Sequence, residues 1–447
     1  MSAKRTVILG GGESGAGAAV LARVMGHDVF LSDSSLIKPQ YKKLLKDYSI
    51  PFEENTHSIN EILSADLVVK SPGIPDNVSV IQSIRQQNIP VVSEIEFASA
   101  YTDAQLIGIT GSNGKTTTTL LTHHILTKGG FNAGIAGNVG QSFALQVATK
   151  DFDIYVLEIS SFQLDDSFNF SPHIAVLLNV TPDHLDRYDY SMDLYTASKF
   201  RIAQNLKTDN YFVYCADDKT ITDYMSAHEI GGLHIPFSLH NLDCKSCAYI
   251  EHNTMKVKIQ HNTFDMIIEQ LALQGKHNLY DSMAAAITGR LLDIRNIVLR
   301  ESLGDFVNAE HRLESVARVH GIEFVNDSKA TNVNSTWYAL ESFNKKIIWI
   351  AGGQDKGNDY EFLKDLVQER VKAIVCLGAD NTKIKKAFSG IVPEIAETTD
   401  MWEAVNMAYR LGTPDDVVLL SPSCASFDLF ENYEDRGNQF KHAVRNL

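Results

Sequence analysis

Short apolar runs of the kind that form buried strands alternate along this chain with segments patterned as helices, and that alternation constrains its fold more than any other feature. TVILG at 6–10, SGAGAAVLARVMG at 14–26 and HDVFLSD at 27–33 read as one strand–helix–strand unit, with ADLVVK at 65–70 and IPVVS at 89–93 as further strands. A second series runs through AQLIGIT, FNAGIAG, DIYVLEIS, HIAVLLNV and YFVYCADD between 104 and 218. A third holds EFVNDS, KIIWIAGG, VKAIVCLG and DVVLLSP between 323 and 422. Strands joined through helices must cross over and run parallel, which predicts an α/β protein of mostly parallel sheets with flanking helices. A chain of 447 residues exceeds one core of ordinary size. Three units are expected, 1–94, 95–308 and 309–447: a Rossmann-like first domain, a central ATPase domain built round a phosphate loop, and a Rossmann-like third.

Composition excludes several function classes. The formal net charge of −15 argues against nucleic-acid binding, and any anionic substrate must be held by local lysines and backbone N–H groups. The apolar run near the start is four residues long and ends in glycines, so it reads as a buried strand and not a signal peptide. No run approaches the roughly 18 consecutive apolar residues of a membrane span. Five scattered cysteines fit a reducing cytoplasm. Cys244 and Cys247, in CKSC, have metal or redox spacing but no second pair follows them, so they read as incidental thiols.

GITGSNGKTT at 108–117 places a glycine-rich turn between a strand and an apolar helix. Backbone N–H groups and a helix N-terminus then surround a phosphate. Gly111, Ser112, Asn113, Gly114 and Thr117 form the cradle, Lys115 reaches the outer phosphates, and the Thr116 hydroxyl is available to Mg²⁺. The strict pattern asks for a further glycine at the position of Ile109. A second glycine turn, GGGESG at 10–15, also follows a strand, and Asp33 ends the next strand where a ribose-binding acid would stand. Alone, that turn fits either a dinucleotide or a tight ligand-free turn. Two phosphate-type turns in one chain point to a transfer or ligation between ATP and an activated sugar or dinucleotide. Glu158 ends the strand DIYVLEIS, and Asp183 and His184 follow HIAVLLNV, so all three lie at the edge where parallel sheets gather ligands, with Mg²⁺ binding as their expected work.

GITGSNGKTT, LEISSFQL, NVTPDHLDRY, ASKFRIAQN, GKHNLYDSMAA, AEHRLE, NDSKATN, GGQDKG and SPSCASFDLFENYEDRGNQF occur in the order and spacing of the Mur ligases of peptidoglycan synthesis, and the chain resembles that family from end to end. SPGI at 71–74, GGQDKG and the SPSCASFD stretch resemble its D-glutamate-adding branch. The resemblance implies a cytoplasmic, monomeric ATP-dependent ligase of cell-wall synthesis, acting on UDP-N-acetylmuramoyl-L-alanine, D-glutamate and ATP through an acyl phosphate, without nucleic acid or membrane. It implies two Mg²⁺ ions, one held by Thr116 and Glu158 and the other by His184 and Lys199, the last as a carbamate. Lys115, His184 and Lys199 would be its catalytic groups.

Other roles follow by position in the motifs. Asn278 resembles the adenine contact, and Arg312, Asp327 and Lys329 the remaining ATP-side residues. Ser14, Asp33, Ser34, Ser71, Pro72, Gly73, Asn138 and Gln163 resemble the UDP-sugar contacts, which assigns the first glycine turn to UDP. His184, Thr331, Lys356, Ser426, Phe427 and Tyr433 would serve D-glutamate. The alternatives are the alanine- or diaminopimelate-adding relatives, folylpolyglutamate synthetase and, outside the ligases, an NAD-dependent oxidoreductase or a noncatalytic nucleotide-binding module.

Overall fold

Twenty strands form three sheets in a computed structural model that describes residues 4–260, 262–355 and 357–447. The first sheet contains β1 (Arg5–Leu9), β2 (Asp28–Ser32), β3 (Phe52–Glu53), β4 (Leu67–Lys70) and β5 (Val91–Ser93), in the order β3-β2-β1-β4-β5, all parallel. The order reverses between β1 and β4, so the turn at 10–15 and the turn at 71–73 open side by side at the carboxyl edge. Val7, Leu9 and Val68 pack with Ile81 and Ile84 on one face, each removed from water and stabilising the fold by about 1.5–3 kcal/mol.

The second sheet holds β6 (Gln105–Thr110), β7 (Ala133–Gly137), β8 (Ile154–Glu158), β9 (Ile174–Leu177), β10 (Tyr211–Cys215), β11 (Leu233–Ser238), β12 (Cys247–Glu251), β13 (Thr254–Ile259) and β14 (Asn262–Ile267). Its order is β14-β13-β12-β11-β10-β9-β6-β8-β7. Strands β6 to β12 are parallel, whereas β12, β13 and β14 form an antiparallel meander. The strand–helix alternation leaves residues 233–267 unassigned, and four strands fill them. Strand β11 contains Pro236, which cannot donate to a ladder; it is tolerated because β12 pairs with β11 only from Phe237 onward. Strand β13 buries every second residue, the pattern of a sheet with one wet face. Cys244 forms a disulfide with Cys247, the first residue of β12, with Cα atoms 6.2 Å apart, so the two are not the incidental thiols read from the lack of a second pair.

The third sheet comprises β15 (Glu314–Val319), β16 (Ile322–Asn326), β17 (Ile347–Gly352), β18 (Val371–Leu377), β19 (Glu394–Thr398) and β20 (Val417–Ser423), ordered β15-β16-β20-β17-β18-β19 and parallel apart from β15. Its two faces bury separate cores: Ile347 and Trp349 point to one with Leu419, Ile348 and Ile350 to the other with Leu420. Edge strands β15 and β19 mix charged and polar residues with half-buried apolar ones, so they lack the apolar run of a buried strand.

The chain divides into two compact units, Met1–Ala272 with Tyr280–Phe306 and Leu273–Leu279 with Val307–Leu447. The first two sheets therefore share a unit. Glu94, at the start of the helix Glu94–Ser99, joins them: its Oε1 accepts the Ser142 hydroxyl at 2.5 Å and the Ala144 N–H at 2.8 Å. Burial pushes the Glu94 carboxyl up to about 7. Among the described residues, no helix is long and apolar enough to cross a membrane.

Candidate functional site

The turn 111–114 leaves β6 and is held by backbone and by the neighbouring β9 loop. Gly114 adopts φ +84° immediately before the helix Lys115–Lys128, and a Cβ there would lie 2.3 Å from Asp281 Oδ1. Glycine is required on both counts. The Ser112 N–H donates to Asn179 O at 2.9 Å and the Asn113 N–H to Asn179 Oδ1 at 2.8 Å, while Asn179 Nδ2 returns a bond to Asn113 O at 3.0 Å. The Ser112 hydroxyl lies 2.9 Å from Thr181 O and 3.0 Å from the Tyr195 hydroxyl. The loop is rigid before any ligand arrives. Lys115 Nζ folds over it, donating to Gly111 O at 2.8 Å and Ser112 O at 2.9 Å. Thr116 and Thr117 are buried in the first helical turn.

A second lysine converges on the same carbonyl. Lys199, on the helix Met192–Phe200, is 2 % exposed, and its Nζ donates to Gly111 O at 2.9 Å and stands 4.6 Å over the Tyr195 ring. Burial holds its ammonium well below the usual lysine range, and the adjacent Lys115 charge adds to this, with Asp183 and Asp165 opposing. A lowered lysine pKa raises the share of the neutral amine, which is the nucleophilic form. The bare sequence favours a solvated helix face for Lys199; the tertiary structure buries it. Glu158 ends β8 between β7 and β6, 1 % exposed, where its Oε1 accepts from Asn138 Nδ2 at 2.8 Å. Its Oε2 is buried without a hydrogen-bond partner. An uncompensated buried carboxylate oxygen fits a cation better than any neutral ligand. His184 stands at φ +51° with Nε2 3.7 Å from Asp183 Oδ2 and its ring edge-on to Phe162. Among the described residues, no three His, Cys, Asp or Glu side chains cluster as a ready-made metal site.

At the first sheet, Asp33 is occupied by backbone: Oδ2 accepts the Gly11 N–H at 2.6 Å and Oδ1 the Ser35 N–H at 2.8 Å. It therefore shapes the glycine turn. Ser71 Oγ is buried without a partner and faces the turn, lying 2.5 Å from where a Cβ on Gly10 would be. Ser14, Pro72 and Gly73 line the mouths of these adjoining turns, and Ser34 is exposed beside Asp33. Gln163 forms a capping box with Ser160, its Oε1 2.9 Å from the Ser160 N–H, at the start of the helix Ser161–Asp165. Asn138 is brought to Glu158, and Gln163 caps a helix end through its Oε1.

The second unit gathers residues from three adjacent strand ends, β16, β20 and β17. Asp327 is buried with its Oδ2 accepting the Ser421 hydroxyl at 2.9 Å and its Oδ1 the Leu313 N–H at 3.3 Å. Burial pushes its carboxyl up to about 7 against the pull of Arg312. Lys329 Nζ lies 5.3 Å over the Tyr433 ring. Arg436, 1 % exposed, ties the β16 loop to the β20 loop: its Nη2 donates to Ser328 O at 2.8 Å and its Nη1 to Cys424 O at 3.2 Å. Ser426 is buried beside it and Phe427 is 67 % exposed. Thr331 is half-buried, and Asn332 caps the helix Val333–Glu341 through the Ser335 N–H. Asn278 donates from Nδ2 to Gln274 O at 2.7 Å. Lys356 lies outside the described residues.

Asn179, Tyr195, Asp281 and Arg436 escaped the sequence reading. Asn179 could have been found, since it belongs to the NVTPDH stretch beside the phosphate loop. Arg436 gives no local sign, because its partners are more than ten residues away in sequence.

Three family models match the chain: the MurD N-terminal domain over residues 5–80, the Mur ligase middle domain over 109–289, and the Mur ligase glutamate ligase domain over 311–424. A UDP-N-acetylmuramoylalanine–D-glutamate ligase of Christiangramia forsetii is 55% identical, the match covering 99% of this chain and 100% of that one. A ligase of the same description from Bacteroides fragilis is 53% identical over 99% of this chain and 100% of its own. Among solved structures, the UDP-N-acetylmuramate-alanine ligase of Thermotoga maritima superposes with a TM-score of 0.62 at 18% identity, over 99% of both chains, and so shares the fold. With two relatives above 50% identity along their whole length and three family models in the expected order, the chain belongs to the Mur ligase family.

Proposed function

We propose that this chain is an ATP-dependent ligase that joins D-glutamate to UDP-N-acetylmuramoyl-L-alanine, releasing ADP and phosphate, in cytoplasmic peptidoglycan precursor synthesis. The observation that carries the chemistry is the convergence of Lys115 and Lys199 on Gly111 O at the mouth of a rigid phosphate loop. The choice of D-glutamate is supported by the relatives of that description at 53–55% identity.

A carboxylate oxygen of the muramoyl substrate attacks the γ-phosphorus of ATP and ADP departs. The D-glutamate nitrogen then attacks the acyl carbon, phosphate leaves, and the nitrogen gives up its proton. The protein's task is to bring anions together and neutralise the charge that develops. In this reading Gly111, Ser112, Asn113, Gly114 and Thr117 cradle the phosphates, and Lys115 swings from the Gly111 and Ser112 carbonyls to the outer phosphates. Thr116, Glu158, His184 and Lys199 would hold two Mg²⁺ ions, which supply Lewis-acid stabilisation to the transferring phosphoryl group. Lys199 qualifies as a carbamate: its neutral amine adds to the carbon of carbon dioxide, loses one proton and becomes an anionic ligand. Asn138 keeps Glu158 oriented.

The segments 1–94, 95–308 and 309–447 divide the labour. The first binds the UDP-sugar through Ser14, Ser34, Ser71, Pro72 and Gly73 on a turn shaped by Asp33, with Gln163 and Asn138 toward the muramoyl end. The second binds ATP. The third contributes Arg312, Asp327 and Lys329 toward ATP and Thr331, Lys356, Ser426, Phe427 and Tyr433 toward D-glutamate, and the central segment adds Asn278 at adenine and His184 at D-glutamate. The protein acts as a monomer. The test is phosphate release from ATP with UDP-N-acetylmuramoyl-L-alanine, comparing D-glutamate with L-glutamate, L-alanine and diaminopimelate. Release dependent on D-glutamate is expected; release dependent on another amino acid would move the assignment within the family, and none with any of them would overturn it.

A further inference from the structure

The loop that leaves β17 is fastened to the loop that leaves β20 by a set of side chains to which the sequence assigned no role. Gln354 and Ala425 exchange both backbone hydrogen bonds, at 2.8 and 3.2 Å. Asp355 Oδ1 accepts the N–H groups of Gly357 at 2.7 Å and Asn358 at 3.0 Å, so the carboxylate closes its own turn. Lys383 Nζ reaches the same oxygen at 3.1 Å. The Tyr360 hydroxyl donates to Asp355 Oδ2 at 3.2 Å. With its single proton used there, that hydroxyl can only accept from its other neighbours, Asn358 Nδ2 at 3.2 Å and Cys424 Sγ at 3.2 Å. Cys424 can donate because burial keeps the thiol protonated, its pKa pushed up to about 11. Asn358 Nδ2 also donates to Ser423 O at 3.0 Å, completing a closed circuit between the two loops.

The circuit is buried where it matters: Tyr360 is 3 % and Cys424 2 % exposed. Arg436 then binds Cys424 O and Ser328 O, so the circuit extends to the β16 loop, which carries Asp327, Lys329 and Thr331. All three loops joined in this way carry residues that the proposed function assigns to the amino-acid acceptor. A hydroxyl, an amide and a thiol bonded to one another restrict register more than apolar side chains of equal volume would.

We propose that Tyr360, Asn358 and Cys424 are positioning residues for the amino-acid acceptor, holding residues 353–355, 357 and 358 in register with loop 423–428, which carries Ser426 and Phe427. This rests on the ligase reading above. The chemistry it recognises is a dicarboxylate amino acid, whose two carboxylates lie a fixed distance apart and penalise any shift between loops.

The test is steady-state kinetics on the full chain with Tyr360→Phe, which removes the hydroxyl and keeps the ring that packs edge-on against Phe388. KM for D-glutamate is expected to rise about five- to tenfold, the effect of roughly one neutral hydrogen bond, with KM for ATP and for the muramoyl substrate within about twofold of wild type. Cys424→Ser keeps a donor toward Tyr360 and is expected to hold KM for D-glutamate near wild type, whereas Cys424→Ala raises it. An unchanged KM for D-glutamate in Tyr360→Phe, or equal rises in all three KM values with a lowered melting temperature, overturns the proposal. If Tyr360→Phe does not fold, the Cys424 pair decides: equal KM for D-glutamate in the serine and alanine variants overturns it. Absence of D-glutamate-dependent phosphate release in the wild type is a separate outcome and removes the ligase reading before any variant is compared.

Discussion

The phosphate loop of the first unit and the loop cluster of the second do comparable work, gathering groups around anions, with different materials. At 111–114 the geometry is set by glycine conformation, backbone N–H groups and one asparagine from the next strand end. Around 326–332 and 423–428 and at Tyr360 it is set by buried side chains: Asp327 accepts from Ser421, Tyr360 meets Cys424, and Arg436 binds the Cys424 carbonyl. A phosphate is nearly symmetrical and bristles with acceptors, so repeated backbone donors suit it. An amino acid must be distinguished by where its carboxylates and amine lie, and side chains with individual shapes can do that. In the proposed reading, the substrate common to many ligases would meet main chain and the discriminating one would meet side-chain networks.

The largest effect that could break this comparison is expected at Lys199. Replacing it with alanine should lower kcat by roughly 10³-fold, with part recovered by added acetate or formate if a carboxylate surrogate refills the position; a loss under tenfold would mean that the first region works by backbone alone. Next comes the second region's buried arginine. Arg436→Leu leaves Ser328 O and Cys424 O without a donor in a dry site and should cost about 2–4 kcal/mol in urea unfolding. A cost below about 1 kcal/mol would show that side chains do not hold these loops together. Gly114→Ala forces a left-handed residue against Asp281 and should cost about 1–3 kcal/mol while raising KM for ATP; a neutral result would remove the backbone half of the contrast.

The smallest effect is a pH slope. Asp327 has its folded pKa raised to about 7 from an unfolded value of about 4, so the folded state binds more protons between those values. Its contribution to stability is present below about pH 4 and declines as pH rises toward about 7. Asp327→Asn should flatten that part of the urea midpoint against pH, and an identical profile in the variant would show that Asp327 is not held protonated. Glu94, also raised to about 7, is expected to give the same slope in the first unit, so the pair of variants compares the two regions directly.

Much of the fold was legible because parallel α/β architecture announces itself locally. Buried strands are apolar along their whole length, crossover helices separate them, and glycine turns follow at the carboxyl edge. What escaped was whatever lacked that signature: the meander β12 to β14, the proline-bearing β11 and the edge strands β15 and β19. The site divides likewise. The glycines, Lys115 and Thr116 stand together in one short stretch, and Glu158 and His184 follow strands, so their placement at a ligand edge could be read. The sequence could not show that Lys199 is buried beside Lys115, that Gln163 is committed to a helix cap, or that Asp33 shapes a turn.

By itself, then, the amino-acid order determined which residues leave strands and enter helices, hence which loops reach the ligand edge, because those choices depend on neighbours a few positions away. Tertiary structure alone decided which lysine is dry, which carboxylate oxygen is left without a donor, and how Tyr360, Cys424 and Arg436 lock three loops together. Protonation, desolvation and hydrogen-bond closure depend on groups brought close in space from distant positions, and no local pattern records that meeting.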